Sequence, residues 1–259
     1  MKKKVINKIG FLDSGLGGLT ILKKFLEYTP SNYLYLADIK NIPYGQKTPE
    51  QLKKIALANV DFLLLQGVEA IIIACHTLTA HTIDYLRARY PELPIIGVIK
   101  PVIQSLCDIS AKKIGIIATT ATIQSNIYYD LLQSLNQFES IFQQACPDLV
   151  PLIEAYPMNQ SAIKNKLIEY LQSLKKENID CLILGCTHYS LIKYYISELL
   201  PDCLIIGAER QMVDYSSYYF SIKNIPKLNC DIFVTQYSNA FEQNCLYILG
   251  DKIQICKIK

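Results

Sequence analysis

The sequence predicts an α/β protein made of two similar lobes, each a mostly parallel sheet flanked by helices. Three observations predict it. Short runs rich in Ile and Leu alternate with longer segments of helical period. Strands that lack polar alternation are buried on both faces, and strands that alternate with helices join as βαβ units into a parallel sheet. Second, the chain resembles itself: NKIGFLDSGLGGLTILKKFL at 7–26 matches KKIGIIATTATIQSNIYYDLL at 112–132, and EAIIIACHTLTAHTIDYL at 69–86 matches DCLILGCTHYSLIKYYI at 180–196. The matches run in the same order with similar spacing, as in a duplicated unit. Third, each copy ends its later matched strand in a cysteine, Cys75 and Cys186. In open parallel sheets ligands sit outside the C-terminal strand ends.

The elements follow in order. KIGFL (8–12) is the first strand, and DSGLGG (13–18) leads from it into a helix over 17–28. YLYLA (33–37) is the next strand, followed by a helix over 48–66. EAIIIA (69–74) precedes a helix over 77–89, and IIGV (95–98) a helix over 101–110. The second round comprises IGIIA (114–118), helices over 122–136 and 159–176, CLIL (181–184), a helix over 188–199 and CLII (203–206). GVIKP (97–101) and GAERQ (207–211) are the crossings between lobes, and the tail from about 212 returns to the first. The first lobe is then 1–98 plus 211–259 and the second 99–210. Of the 18 tyrosines, many fall in helical stretches such as YYDLL, KYYISELL and DYSSYYF, where amphipathic packing leaves the hydroxyl at the surface.

Composition excludes several classes. With 51% hydrophobic and 19% charged residues the 259-residue chain is globular, and long enough for a proper core. It has no apolar run of membrane-spanning length. Asn7, Lys8 and Asp13 interrupt what MKKKVINKIGFLDSG otherwise offers as a signal peptide, so a cytoplasmic location is expected. The net charge of +3 is spread along the chain and no basic stripe with interleaved aromatics marks a nucleic-acid surface. Nine cysteines without a CxxC pair argue against structural zinc and for free thiols in a reducing compartment.

Several residues bear chemistry. The glycines of DSGLGG let a backbone approach a ligand, and helix N-terminal amides attract a carboxylate or phosphate; the spacing is not that of a dinucleotide loop. Asp13 is a helix cap or a functional carboxylate. A lone strand-end cysteine reads as a small buried hydrophobe. Two in matched settings, each at a helix N-terminus that lowers a thiol pKa, read as a pair of partly ionised thiols facing one cleft. That pair suits amino-acid racemisation, where one group removes the α-proton and another returns a proton to the opposite face. A cysteine hydrolase leaves the second thiol unexplained, and a metal site from Cys75, His76, Cys186 and His188 requires neighbouring residues to point together. His81 falls on the surface or capping side of a helix.

GFLDSGLGGLTIL, ADIKNIPYG, IIIACHT, IIGVIKP, TTATIQSNIY, VPLIE and LILGCTHYSLI, in that order over residues 8–192, together resemble glutamate racemases of the cofactor-independent aspartate/glutamate racemase superfamily. The resemblance implies two pseudo-two-fold lobes with the active site between them. It implies interconversion of L- and D-glutamate for peptidoglycan, with no cofactor and no metal. Carried over by motif, Cys75 and Cys186 match the acid/base cysteines, Asp13 the carboxylate beside the first, and Glu154 and His188 the groups beside the second. Asp13, Ser14, Tyr44, Gly45, His76, Thr77, Thr119, Thr122, Thr187 and His188 fall at substrate-binding positions. A homodimer is implied too. The departures are CHTLT where relatives read CNTAS, placing His76 at an asparagine position, and GAERQMVDY and VTQYS in the C-terminal part. A neutral histidine offers one donor and one acceptor on a larger, titratable ring. Two alternatives follow: a racemase of another amino acid such as aspartate, or a weakly active relative that binds a partner such as DNA gyrase.

Overall fold

In the computed structural model the described residues are 3–29, 31–223, 229–250 and 254–257. After a short strand β1 (Lys4–Ile6) come β2 (Lys8–Asp13), α1 (Leu19–Tyr28), β3 (Asn32–Ala37), α2 (Pro49–Leu65), β4 (Ala70–Ile73), α3 (His76–Arg89) and β5 (Ile95–Gly97). α4 (Ile99–Gln104) leads to β6 (Lys113–Ala118), α5 (Thr120–Gln124), α6 (Ile127–Ser134), β7 (Ser140–Ala145), α7 (Leu149–Glu154), α8 (Gln160–Lys176), β8 (Cys181–Gly185), α9 (Lys193–Leu199) and β9 (Leu204–Ile206). Then follow α10 (Glu209–Ser216), β10 (Phe220–Ile222), β11 (Asn229–Val234), α11 (Asn239–Leu249) and β12 (Gln254–Lys257).

Two parallel sheets carry the fold. The first has the order β12-β11-β3-β2-β4-β5 and the second β7-β6-β8-β9, while β1 pairs with β10 in a separate ribbon. The order β3-β2-β4-β5 repeats as β7-β6-β8-β9, so the self-similar segments occupy equivalent strands: β2 with β6, and β4 with β8. The chain leaves the first sheet after β5, builds the second, and rejoins the first through β11, which pairs with β3 from Asn229↔Asn32 to Val234↔Ala37. The central strands are apolar throughout because both faces are covered. AIII of β4 and CLILG of β8 are fully buried, each large aliphatic side chain contributing roughly 1.5–3 kcal/mol. One hydrophobic cluster lies between the sheets and joins them, with Phe11 and Ile72 from one side and Ile116 and Ile183 from the other. Two further clusters cover the outer faces. Among the described residues, no helix is long and apolar enough to cross a membrane.

Three helices differ from expectation. The one predicted over 101–110 is Ile99–Gln104 and runs out in turns, because Asp108 and Ser110 favour local side-chain bonds over helix. The one predicted over 122–136 breaks at Asn126, whose φ of 55° is left-handed, a conformation asparagine tolerates better than most residues. The one predicted over 188–199 begins as a 3₁₀ turn, Thr187–Ile192.

Candidate active site

The matched strands end side by side in a cleft between the sheets. Asp13, last residue of β2, is fully buried. Its Oδ2 accepts from the backbone N–H of Gly15 (3.1 Å) and Gly18 (3.0 Å) and lies 3.2 Å from the Tyr35 hydroxyl, which donates to the Gly15 carbonyl at 2.7 Å. The amides of Gly15 and Gly18 are therefore taken by the protein's own Asp13 and that of Leu16 by Glu154. This corrects the expectation that the loop cradles a ligand anion. Burial pushes the Asp13 carboxyl up, against the positive charge of His188 and the two amide bonds. Asp13 Oδ1 has no hydrogen-bond partner among the described residues.

Cys75 lies two residues past the end of β4 and stands at the N-cap of α3. The expectation of a lowered thiol pKa fails here. Burial, followed by the negative charge of Asp13 and of Cys186, pushes the Cys75 thiol far up, overriding the helix terminus. Cys186 occupies the equivalent place after β8. Its sulfur lies 3.7 Å from His188 Nδ1, and His188 Nε2 lies 2.6 Å from Glu154 Oε1. Burial alone would push His188 down, but the hydrogen bonds and charges of Cys186 and Glu154 outweigh it and hold the imidazole well above its usual range. Glu154 Oε1 also accepts from the backbone N–H of Leu16 at 2.9 Å, so one carboxylate clasps both lobes.

Between the two cysteines is a cavity lined by Ser14, Tyr44, Gly45, Cys75, His76, Thr77, Thr119, Cys186, Thr187 and His188, with further contributions from the 42–46 loop and the start of α7. Asp13, Glu154 and Thr122 are not among the lining residues and stand one layer behind. The cavity is tight: only about 30 Å³ is open to water-sized spheres, room for about two waters. Among the described residues, neither lysine nor arginine lines it. The Thr77 hydroxyl meets Thr119 at 2.8 Å and Thr122 at 3.2 Å, a hydroxyl cluster across the lobes. His81 reaches across as well, its Nε2 lying 3.0 Å from the Ala121 carbonyl oxygen. Tyr44 donates to the buried Asp38 at 2.6 Å, and Asp38 also accepts from Thr235 at 2.8 Å, tying the wall to the end of β11.

Glycine permits this closeness. A Cβ on Gly15 would lie 2.2 Å from Glu154 Oε1, one on Gly17 2.4 Å from Thr187 Oγ1, and one on Gly45 2.7 Å from Thr119 Cβ. The loop's glycines thus admit the opposite lobe. Sequence reasoning missed Tyr35, Asp38 and Tyr128 as parts of the site. Tyr128 overturns the surface reading of YYDLL: it is 1% exposed, with its hydroxyl 2.7 Å from His76 Nδ1. The signal available was the repeat itself, which places 127–132 beside the cleft-forming segments.

Comparison with known proteins agrees. The profile of the Asp/Glu/hydantoin racemases matches residues 17–211. The glutamate racemase of Sulfurihydrogenibium sp. (strain YO3AOP1) is 39% identical over 252 residues, spanning 94% of each chain. The crystal structure of a glutamate racemase isoform from Bacillus anthracis superposes with a TM-score of 0.88 at 32% identity, covering 100% of this chain and 98% of that one. A glutamate racemase from Francisella tularensis, solved in complex with D-glutamate, gives 0.87 at 30% identity, covering 98% of both.

Proposed function

The chain belongs to the Asp/Glu/hydantoin racemase family, and from that premise we propose that it interconverts L- and D-glutamate by proton transfer between two cysteines. It is an isomerase, and the reaction makes D-glutamate available for cell-wall peptidoglycan. One observation carries the reading: two strand-end thiols on equivalent strands border one enclosed cavity, each backed by a carboxylate, Asp13 behind Cys75 and Glu154 through His188 behind Cys186.

The steps follow from that arrangement. The thiolate of one cysteine takes the proton from Cα, and the electron pair left on carbon delocalises into the α-carboxylate. The thiol of the other cysteine delivers its proton to the opposite face, so the two sulfurs exchange protonation states and the reverse reaction uses them in the opposite roles. Charge build-up on the carboxylate is met by neutral donors, the hydroxyls of Ser14, Thr77, Thr119 and Thr187 and the backbone at Gly45, while Tyr44, its proton given to Asp38, walls the substrate site. Cys75, protonated in the free protein, serves first as the acid. His188, donating to Glu154 and to the Cys186 sulfur, serves as proton reservoir on the other side. When the roles reverse, Asp13 takes the proton from the Cys75 thiol, leaving the thiolate that acts as base. Thr122 supports Thr77 and Thr119.

A cytoplasmic homodimer is part of the same reading. The direct test is a substrate panel of L- and D-glutamate, aspartate and alanine followed by circular dichroism. Loss of optical activity is expected with glutamate from either enantiomer. Turnover of aspartate in preference to glutamate would overturn the substrate.

A further inference from the structure

Tyr128 sits outside the cavity, on α6, and its hydroxyl has one hydrogen-bond partner among the described residues, Nδ1 of His76 at 2.7 Å. The two rings lie nearly parallel, with centroids 5.9 Å apart and 27° between planes. His76 lines the cavity, is 2% exposed, and its Nε2 has no partner among the described residues. A buried phenol with one neighbour donates to it, because an unpaired buried hydroxyl proton costs roughly 1–3 kcal/mol. Nδ1 is then the acceptor. Burial keeps the ring neutral, pushing His76 down to about 3, so its single proton resides on Nε2. The two ring nitrogens point in diverging directions. With Nδ1 turned to Tyr128 on α6, the Nε2–H points away from that helix, and His76 is one of the residues that line the cavity.

We propose that Tyr128 is a positioning residue that locks His76 as the Nε2–H tautomer, and that His76 thereby donates a hydrogen bond to a carboxylate oxygen of the amino-acid substrate. The inference rests on the racemase reading of this cleft. Its setting favours a carboxylate: the neighbouring Thr77 and Thr119 hydroxyls are also neutral donors, and among the described residues no lysine or arginine lines the cavity to take that role. The tautomer decides the sign of the contact. A proton on Nδ1 would turn the Nε2 lone pair toward the carboxylate and repel it.

The test combines racemisation kinetics of the wild type, Tyr128→Phe, His76→Leu and His76→Asn with ¹⁵N NMR of the His76 ring, in the free protein and with D-glutamate added. The wild-type ring is expected to carry its proton on Nε2, and that signal to move when D-glutamate is added. Tyr128→Phe is expected to lose the fixed tautomer and raise KM about five- to tenfold with little change in kcat, the size of one neutral hydrogen bond. His76→Leu should raise KM at least as much, and His76→Asn, which keeps a neutral donor, should recover most of the loss. A wild-type ring protonated on Nδ1, an Nε2 signal indifferent to D-glutamate, or a Tyr128→Phe variant with wild-type KM overturns the proposal. So does a fall in kcat alone, which a merely structural role would give. If the wild type fails to racemise glutamate, the functional reading falls by itself, while the NMR titration still decides the tautomer and the contact.

Discussion

Cys75 and Cys186 hold equivalent places at strand ends, yet their neighbours differ. Asp13, behind Cys75, is a buried carboxyl pushed up in pKa, with one oxygen lacking a partner among the described residues. A folded-state pKa raised above 3.8 means the neutral form suits the fold and its contribution is lost as pH rises. Asp13→Asn is therefore expected to stabilise the protein at pH 7, a gain that fades below the ordinary carboxylate range, while racemisation falls about a hundredfold. Thermal melts across pH alongside rates check both. His76 runs the other way. Its pKa is pushed down to about 3 from 6.5, so the stability it gives is present above 6.5 and drains away as pH falls toward 3. His76→Asn should lack that loss, gaining roughly 3 kcal/mol on the wild type between pH 7 and pH 4 in urea titrations. The cysteines and Asp13 were legible in the sequence because they end apolar runs, and His188 through the motif LILGCTHYSLI that carries the family resemblance. Their titration was not, because the helix-terminus argument for Cys75 omits the burial and the neighbouring negative charges that only the folded cleft supplies.

At the scale of elements, the loop from Asp13 to Gly18 and the turn after β8 fit together only through glycine. Gly17→Ala places a methyl 2.4 Å from Thr187 Oγ1 and 2.6 Å from the His188 backbone nitrogen, a contact that displaces one lobe from the other. Racemisation is expected to fall about a hundredfold, as a shift of about 1 Å in reacting groups does, with the circular dichroism spectrum unchanged. Wild-type turnover in this variant would show that the lobes need not approach so closely. Strands β2, β4, β6 and β8 were readable because burial on both faces writes apolar residues, mostly Ile and Leu, into most of their positions. β7, SIFQQA, is half-buried along its whole length and carries no such mark. The break at Asn126 was hidden because apolar spacing continues through it, and the same break turns Tyr128 inward to His76.

For the whole molecule, the repeated strand order brings matching strand ends to the two sides of one cavity. Its small free volume marks a closed arrangement, held by Glu154 to Leu16, Thr77 to Thr119 and His81 to Ala121. The duplication was visible as two pairs of similar segments. The C-terminal part was harder to read, since β11 gains its place by pairing with β3, far away in sequence. The central claim is that two sulfurs on opposite faces exchange protons with one carbon. It is tested most directly by following L-glutamate in heavy water at early times. D-glutamate is expected to carry deuterium at Cα while the remaining L-glutamate keeps its protium, and Cys75→Ser and Cys186→Ser should each abolish racemisation. Deuterium entering substrate as fast as product, or full racemisation by either variant, would contradict the account.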